Sequence, residues 1–370
     1  MQLNYSTRAR RAALKHPLLS HIWTQIIFWI FSFILFFLLV NFIAIAVTNL
    51  IPYKTTIHIF KNILIAIFGA IIFGTLLGSI DFFIDRKLRA RSLGLEIFIK
   101  VLLYATTWFT VSIIVSRIGL ALQANFVEGS NLEYNSTFYL NMGIAFSIYI
   151  LVMIIIISFI KEMDNKFGPG ITLPMLFGKY RKPRVEERIF LFIDLKSSTM
   201  FAEKLGHLKY SRMVQSIFED INKIIPFYDA EVYQYVGDEV VLTWSKNIGI
   251  LNNNCINFFF AFQKVISNNK SLYINNFECL PEFKASAHIG KITVAEVGNI
   301  KREIAYHGDT INTASRIQDV CNLYNKTFLI SDDLRNNLED NPKLKFSFVD
   351  EPVLKGKSKK IKIYSVENIE

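Results

Sequence analysis

The sequence predicts a two-part chain: an α-helical membrane domain of four transmembrane helices, then an α+β domain built on a mostly antiparallel sheet. Three observations predict it. Residues from about His21 to Ile160 are dominated by Ile, Leu, Phe and Val with few charges, and ordinary polar composition returns from about Lys161. Within the first part lie four apolar stretches of the length, about 20 residues, that a helix needs to cross a bilayer. In the second part short β-like runs alternate with amphipathic helical ones, and 370 residues suffice for one soluble domain beside a second module.

The N-terminal segment, 1–21, is basic, with Arg8, Arg10, Arg11 and Lys15. The expected spans, Ile22–Val47, Ile59–Ile80, Ile97–Leu122 and Phe138–Ile160, make up a membrane domain over 22–160. The first is too long, and lacks the small-residue cleavage site, for a signal peptide. Lys and Arg crowd the N-terminus and the second connection (Arg86, Lys87, Arg89, Arg91), while the first connection is nearly neutral and the third carries Glu without Lys or Arg. That alternation implies cytoplasmic N- and C-termini and a chain that crosses the lipid bilayer four times. Gly69, Gly74 and Gly78 offer a small-residue face for close packing, and Asn41 and Asn141 read as helix–helix hydrogen bonds. Asp81 and Asp85 read as interfacial charges paired with Arg86 and Lys87, so the spans suggest packing rather than permeation.

A linker follows over 161–187, where Gly168, Pro169, Gly170, Pro174, Gly178 and Pro183 forbid one continuous helix. Its apolar stretch Ile171–Phe177 suits a membrane surface or a partner subunit. The soluble domain is expected over 188–370 as a strand, a helix over Met200–Phe227, a hairpin, a helix near Asn254–Ile266, strands near Phe283–Val297, a helix from Thr310 and short strands to Val366. The net charge of +10 lies largely beside the membrane segments and no basic stripe marks the soluble half, so no nucleic-acid partner is expected. Cys255, Cys279 and Cys321 show no C-x-x-C spacing and read as reduced, packed thiols.

Three segments of the soluble half carry chemistry. Ile189–Ile193 is an apolar run fit for a buried central strand, and it ends in Asp194. Val232–Trp244 alternates around Gly237–Asp238 as a tight hairpin does. One carboxylate at a strand end is ordinarily a turn or helix cap, but two on neighbouring strands make a cage for divalent cations and phosphoryl transfer. In the third segment Gly308 and Asp309 form a turn and cap, and Asn312 and Arg316, four apart, share a helix face suited to a ribose oxygen and a developing phosphate charge. Lys355 and Lys357 sit on a Gly-bearing loop and are candidates for clamping a triphosphate.

Together the three segments resemble the class III nucleotidyl cyclase catalytic domain, the family of adenylate and guanylate cyclases. The family's strand-Asp motif matches Phe192-Ile193-Asp194-Leu195 through Thr199, and its hairpin Gly-Asp matches Gly237-Asp238. Its Gly-x-Thr-x-Asn-x-Ala-Ser-Arg matches Gly308, Thr310, Asn312, Ala314, Ser315 and Arg316 without a gap. The resemblance covers about Glu187 to Glu367 and implies the ferredoxin-like cyclase fold. It further implies two Mg²⁺ or Mn²⁺ ions held by Asp194, Asp238 and the Leu195 carbonyl, and terminal phosphates cradled by the turn Lys196–Thr199. Asn312 would orient the ribose, Arg316 would stabilise the α-phosphate, and Lys355 or Lys357 would hold the triphosphate tail. Because the family's metal aspartates and Asn/Arg helix come from opposite partners, one such domain per chain implies a homodimer. The expected setting is a bacterial inner membrane.

The departure lies in base selection. The family's adenine-reading Lys and Asp correspond here to Gln234 and Ala305. Gln234 keeps an amide donor for adenine, Ala305 offers nothing, and no guanine-selective acid replaces them. The reading favours ATP, with a guanylate or pyrimidine nucleotide cyclase, or a degenerate domain serving as a nucleotide sensor, as alternatives.

Overall fold

The computed structural model describes residues 16–48, 59–87, 93–126, 136–167, 178, 180–299 and 303–369. They fall into two compact units that divide between Thr172 and Leu173. Residues 1–15, most of the connections that carried the orientation argument (49–58, 88–92 and 127–135) and the apolar linker segment 171–177 lie outside the described residues.

The first unit contains helices α1 (Pro17–Thr48), α2 (Ile59–Lys87), α3 (Leu93–Phe126) and α4 (Ser136–Phe167). Three stretches in them, Leu18–Ile43, Ile63–Ile84 and Gly143–Lys161, are long and apolar enough to cross a membrane. The apolar described stretch of α3, Phe98–Ile113, is shorter, and it includes a buried Lys100. Length and composition therefore support three of the four expected spans. The glycine face does the work expected of it. A Cβ at Gly74 would stand 2.7 Å from the Ile26 Cα, and one at Gly78 would stand 2.4 Å from the Ile22 Cα, so α1 and α2 approach through these two positions. Trp29, Phe33, Phe73 and Trp108 form a buried aromatic core between the helices, while Phe31, Phe42 and Phe68 point outward.

Asp81 departs from its expected place. It is fully buried, and its partners are Lys161 of α4, Tyr104 of α3 and Gln25 of α1. The side chains of Arg86 and Lys87, proposed as its partners, lie outside the described residues. Partners drawn from three other helices leave no trace in the local pattern of α2.

The second unit is an α+β fold, as expected. Its strands are β1 (Arg184–Leu195), β2 (Glu231–Val236), β3 (Glu239–Ser245), β4 (Phe283–Val297), β5 (Glu303–His307), β6 (Phe328–Ser331), β7 (Leu344–Asp350) and β8 (Ile363–Asn368). The sheet runs β2-β3-β1-β4-β6-β8-β7, with β5 paired to β4. The β4–β6 pair is parallel, and the other described pairs are antiparallel. The helices include α5 (Ser198–Ile224), α6 (Lys246–Ile250), α7 (Asn254–Asn268), α8 (Lys270–Phe277), α9 (Asp309–Val320) and α10 (Asp332–Arg335). Of these, α6, α8 and α10 were not expected: each is eight residues or fewer, too short for a helical period to register. The Tyr180 carbonyl accepts from Glu296 N–H at 2.8 Å and β1 starts at Arg184, so the domain begins ahead of the expected residue 188.

Strand β1 is central and buried on both faces from Ile189 to Ile193, which is why its sequence is apolar without alternation. Its odd-numbered residues join Met213, Ile217, Phe258 and Phe262 in a core under α5 and α7. Its even-numbered residues Phe190 and Phe192 face the other way, toward Val294 and the Ala314 of α9. Side chains alternate along a strand, so Asp194 emerges on the α9 side.

Candidate active site

Asp194 is the penultimate residue of β1, where the apolar run stops and the carboxylate reaches the sheet's edge of solvent. Across the β1–β4 ladder its partner is Lys284, whose ammonium lies 3.1 Å from Asp194 Oδ2. On the other side β1 pairs with β3, ending at Ile193 opposite Val240. Continuing that register sets Glu239 across from Asp194 and Asp238 across from Leu195. The two-residue turn Gly237–Asp238 joins β2 to β3, with Gly237 in the left-handed region at φ 62°. Two distant segments are thus brought together by sheet register alone.

The electrostatics are those of crowded negative charge. Burial, then the charge of Asp194, pushes Asp238 above the usual carboxylate range. Burial, Asp194 and Asp238 together push Glu239 to about 7, with Lys284 acting in the opposite direction. Tyr210 of α5 is also raised, by burial and by the Asp238 charge, with Ser198 close enough to hydrogen-bond. Among the described residues, Asp238 Oδ2 is one of three buried side-chain oxygens with no hydrogen-bond partner, beside those of Ser158 and Gln318. A buried carboxylate oxygen without a donor is unfavourable in a protein interior, and a divalent cation satisfies it. The donor set, two carboxylates and a strand-end carbonyl, is all hard oxygen and fits Mg²⁺ or Mn²⁺.

At the Lys196–Thr199 turn, Ser197 is left-handed at φ 57° and α5 starts immediately after it. The Lys196 N–H donates to the Glu282 carbonyl at 2.8 Å. This removes it from the expected phosphate cradle and leaves the turn from Ser197 to the exposed Thr199.

The Asn/Arg helix is α9. Thr310 Oγ1 donates to the Lys291 carbonyl at 2.8 Å, and a Cβ at Gly290 would meet that hydroxyl at 2.5 Å, so a glycine in β4 admits the helix start. Ser286 Oγ of β4 donates to the Ala314 carbonyl at 2.7 Å and fastens the next turn. The buried face of α9 is therefore Thr310, Thr313, Ala314 and Ile317. Asn312 is exposed, and Arg316 is part-exposed with Asp319 3.3 Å from it. Among the described residues no hydrogen bond or ion pair joins Asn312 or Arg316 to Asp194 or Asp238. The two basic candidates also separate. Lys357 pairs with Asp309 and donates to Thr313 Oγ1 at 2.6 Å, whereas Lys355 is exposed. Gln234 lies exposed on β2 beside a register shift at Tyr233, and Ala305 is half-buried on β5 opposite Ala295.

Sequence reasoning missed Lys284, Glu239 and Tyr210. Glu239 was legible as the neighbour of the hairpin aspartate. Lys284 was not, because only the β1–β4 register brings it to Asp194.

A family model described as the adenylate and guanylate cyclase catalytic domain matches residues 181–368, half of the chain, and takes in β1 through β8. The chain belongs to that family. The chain is 32% identical over 210 residues to adenylate cyclase 2 of Rhizobium meliloti (strain 1021), a match covering 57% of this chain and 58% of that protein. It is 23% identical over 184 residues to the adenylate cyclase of Anabaena cylindrica, covering 48% of this chain and 36% of that one. The chain thus spans less than two thirds of these relatives. Among solved structures, the adenylyl cyclase CyaB from P. aeruginosa aligns with a TM-score of 0.46 and 17% identity, over 51% of this chain and 97% of that one. The guanylate cyclase domain of RhGC from Catenaria anguillulae, in complex with GTP, aligns at 0.41 and 17%, over 50% and 98%.

Proposed function

We infer that the chain is a membrane-anchored adenylate cyclase that converts ATP to 3′,5′-cyclic AMP and pyrophosphate as a homodimer. The observation that carries this is the Asp194–Asp238 pair with its orphaned Oδ2, inside a domain of the cyclase family. Asp194 and Asp238, with the carbonyl of Leu195, are the donors for two Mg²⁺ or Mn²⁺ ions. When bound, such ions lower the pKa of the ribose 3′-hydroxyl and neutralise the pyrophosphate leaving group. The chain's own residues do the rest. The N–H groups of the turn from Ser197 to Thr199 hold the terminal phosphates at a helix start, and Lys355, exposed on its loop, reaches the tail. Lys357 can join it only by leaving Asp309. Arg316 stabilises charge on the α-phosphate and Asn312 orients the ribose.

Among the described residues Asn312 and Arg316 make no hydrogen bond or ion pair to the carboxylate pair of their own chain, and the reading completes the site with a second copy. Gln234 supplies the base with an amide donor. The curated relatives named above are adenylate cyclases, which favours ATP, while Ala305 leaves the base without the acceptor the family provides. Four transmembrane passes, both termini cytoplasmic and a bacterial inner membrane complete the reading. The test is to incubate the purified full chain in lipid with Mn²⁺ and each of ATP, GTP, CTP and UTP, and to identify any cyclic product. Cyclic AMP from ATP is expected. Another cyclic nucleotide as main product overturns the base assignment, and no cyclic product from any of the four overturns the cyclase reading.

A further inference from the structure

Near one end of the helical unit each of the four helices contributes a polar side chain to a single buried node. Asp81 of α2 sits at its centre with no exposed surface. Lys161 of α4 pairs with Asp81 Oδ2, and the Tyr104 hydroxyl of α3 donates to Oδ1. Gln25 of α1 donates from Nε2 to Asp81 at 2.5 Å and to the Tyr104 oxygen at 3.0 Å, while its Oε1 accepts from Trp29 Nε1 at 2.9 Å. The buried Lys100 lies one turn before Tyr104 on α3.

Packing does not require this. Glycine faces and aromatic rings already seat the helices, and a buried ion pair is weak evidence for stability because apolar side chains of similar volume hold a bundle equally well. Charge inside a membrane helix is costly and marks a functional element. The position of Lys161 gives that element a direction. It lies six residues before the end of α4 at Phe167, the helix from which the chain continues to the cyclase unit at Leu173. One ion pair therefore ties the outgoing helix to Asp81, which Gln25 of α1 and Tyr104 of α3 also hold.

We propose that the Asp81–Lys161 pair is a latch that sets cyclase activity by fixing the outgoing end of α4 against α1, α2 and α3. The node has two arrangements: Lys161 engaged, or withdrawn with Asp81 kept by Tyr104 and Gln25. Whatever shifts the balance between them shifts the helix that leads to the catalytic unit. The proposal rests on the cyclase reading for its activity readout but not for its conformational one.

Lys161→Met alone leaves a buried charge unpaired and risks unfolding, so the decisive variant is Asp81→Asn/Lys161→Met. It removes both charges and keeps the Asn amide for Tyr104 and Gln25. The full chain, wild type and variant, is placed in lipid nanodiscs and compared by turnover of ATP with Mn²⁺ and by hydrogen exchange. A latch predicts a change in turnover of threefold or more, with altered amide protection at the start of β1 and in the β2–β3 hairpin. A folded variant with turnover within threefold of wild type, or with altered protection confined to the helices, overturns it. If the wild type makes no cyclic product, hydrogen exchange alone decides. Altered protection in the catalytic unit then upholds the latch while the cyclase reading falls, and unaltered protection overturns both.

Discussion

Asp81 and Asp238 are carboxylates in the two halves of this chain, and the protein treats them in opposite ways. Asp81, in the helical unit, has an ammonium, a phenol and an amide around it, so each oxygen has a protein partner. Asp238, at the hairpin of the cyclase domain, faces a second carboxylate and keeps one buried oxygen with no partner at all. On the reading proposed above, a carboxylate that the protein satisfies serves the helices themselves, and one that it leaves unsatisfied beside a like charge is kept for a ligand. The same residue type thus stands in two different hydrogen-bonding environments, and the proposed tasks follow from that difference.

The largest effects that can break this comparison come from removing each carboxylate. Asp194→Ala or Asp238→Ala is expected to lower turnover by ~10²-fold or more, the scale of lost electrostatic transition-state stabilisation. For Asp238→Ala stability should be unchanged or higher, because a repulsion is removed, whereas Asp194→Ala also gives up the ion pair with Lys284. Asp81→Ala should act first on stability: it strands Lys161 and costs about 3–5 kcal/mol, read by denaturant or thermal unfolding in detergent. Equal destabilisation by Asp81→Ala and Asp238→Ala would erase the distinction.

Next in size is complementation. Asp194→Ala and Arg316→Ala chains should each be inactive alone and recover partial activity when mixed and allowed to exchange, through one intact composite site. Heterodimers without recovered activity would place the whole site within one chain.

A smaller effect is expected in the base pocket. Gln234→Lys/Ala305→Asp should leave turnover of ATP in place while sharpening its preference over GTP, since a pocket polar group discriminates when the wrong base leaves it unpaired. Either change alone should help little, because a lone charge there lacks its partner. A wild type that already rejects GTP as fully as the double variant assigns base reading to another residue.

The smallest concerns pH. The Glu239 carboxyl is raised from 4.5 to about 7, so the folded state holds that proton more tightly than the unfolded chain does. Its contribution is fully present below pH 4.5 and is lost as pH rises through about 7. In a chelator, the melting temperature should therefore fall across that interval, and Glu239→Gln should flatten the fall. An unchanged slope would assign the trend elsewhere.

Much of the site was legible because its parts are local. Asp194 ends an apolar run, Asp238 follows a hairpin glycine, and Asn312 and Arg316 lie one helical turn apart. What was hidden depends on register and on other helices. Lys284 meets Asp194 only through the β1–β4 ladder, ninety residues away in sequence. Asp81 looked interfacial because Gln25, Tyr104 and Lys161 come from α1, α3 and α4. Lys355 and Lys357 are equivalent on paper, and only the fold brings Asp309 to the second of them. The long strand β1 was predicted as buried because both its faces are covered, which its unbroken apolar run encodes.

The most direct test of the contrast is a Mn²⁺ titration of the full chain in lipid, followed by thermal unfolding of the cyclase unit. Wild type and Asp81→Asn/Lys161→Met should both show a saturable rise in melting temperature, and Asp238→Asn should lose most of it. If Asp238→Asn is stabilised by Mn²⁺ as strongly as wild type, the orphaned oxygen is not a metal ligand and the account of the site is wrong.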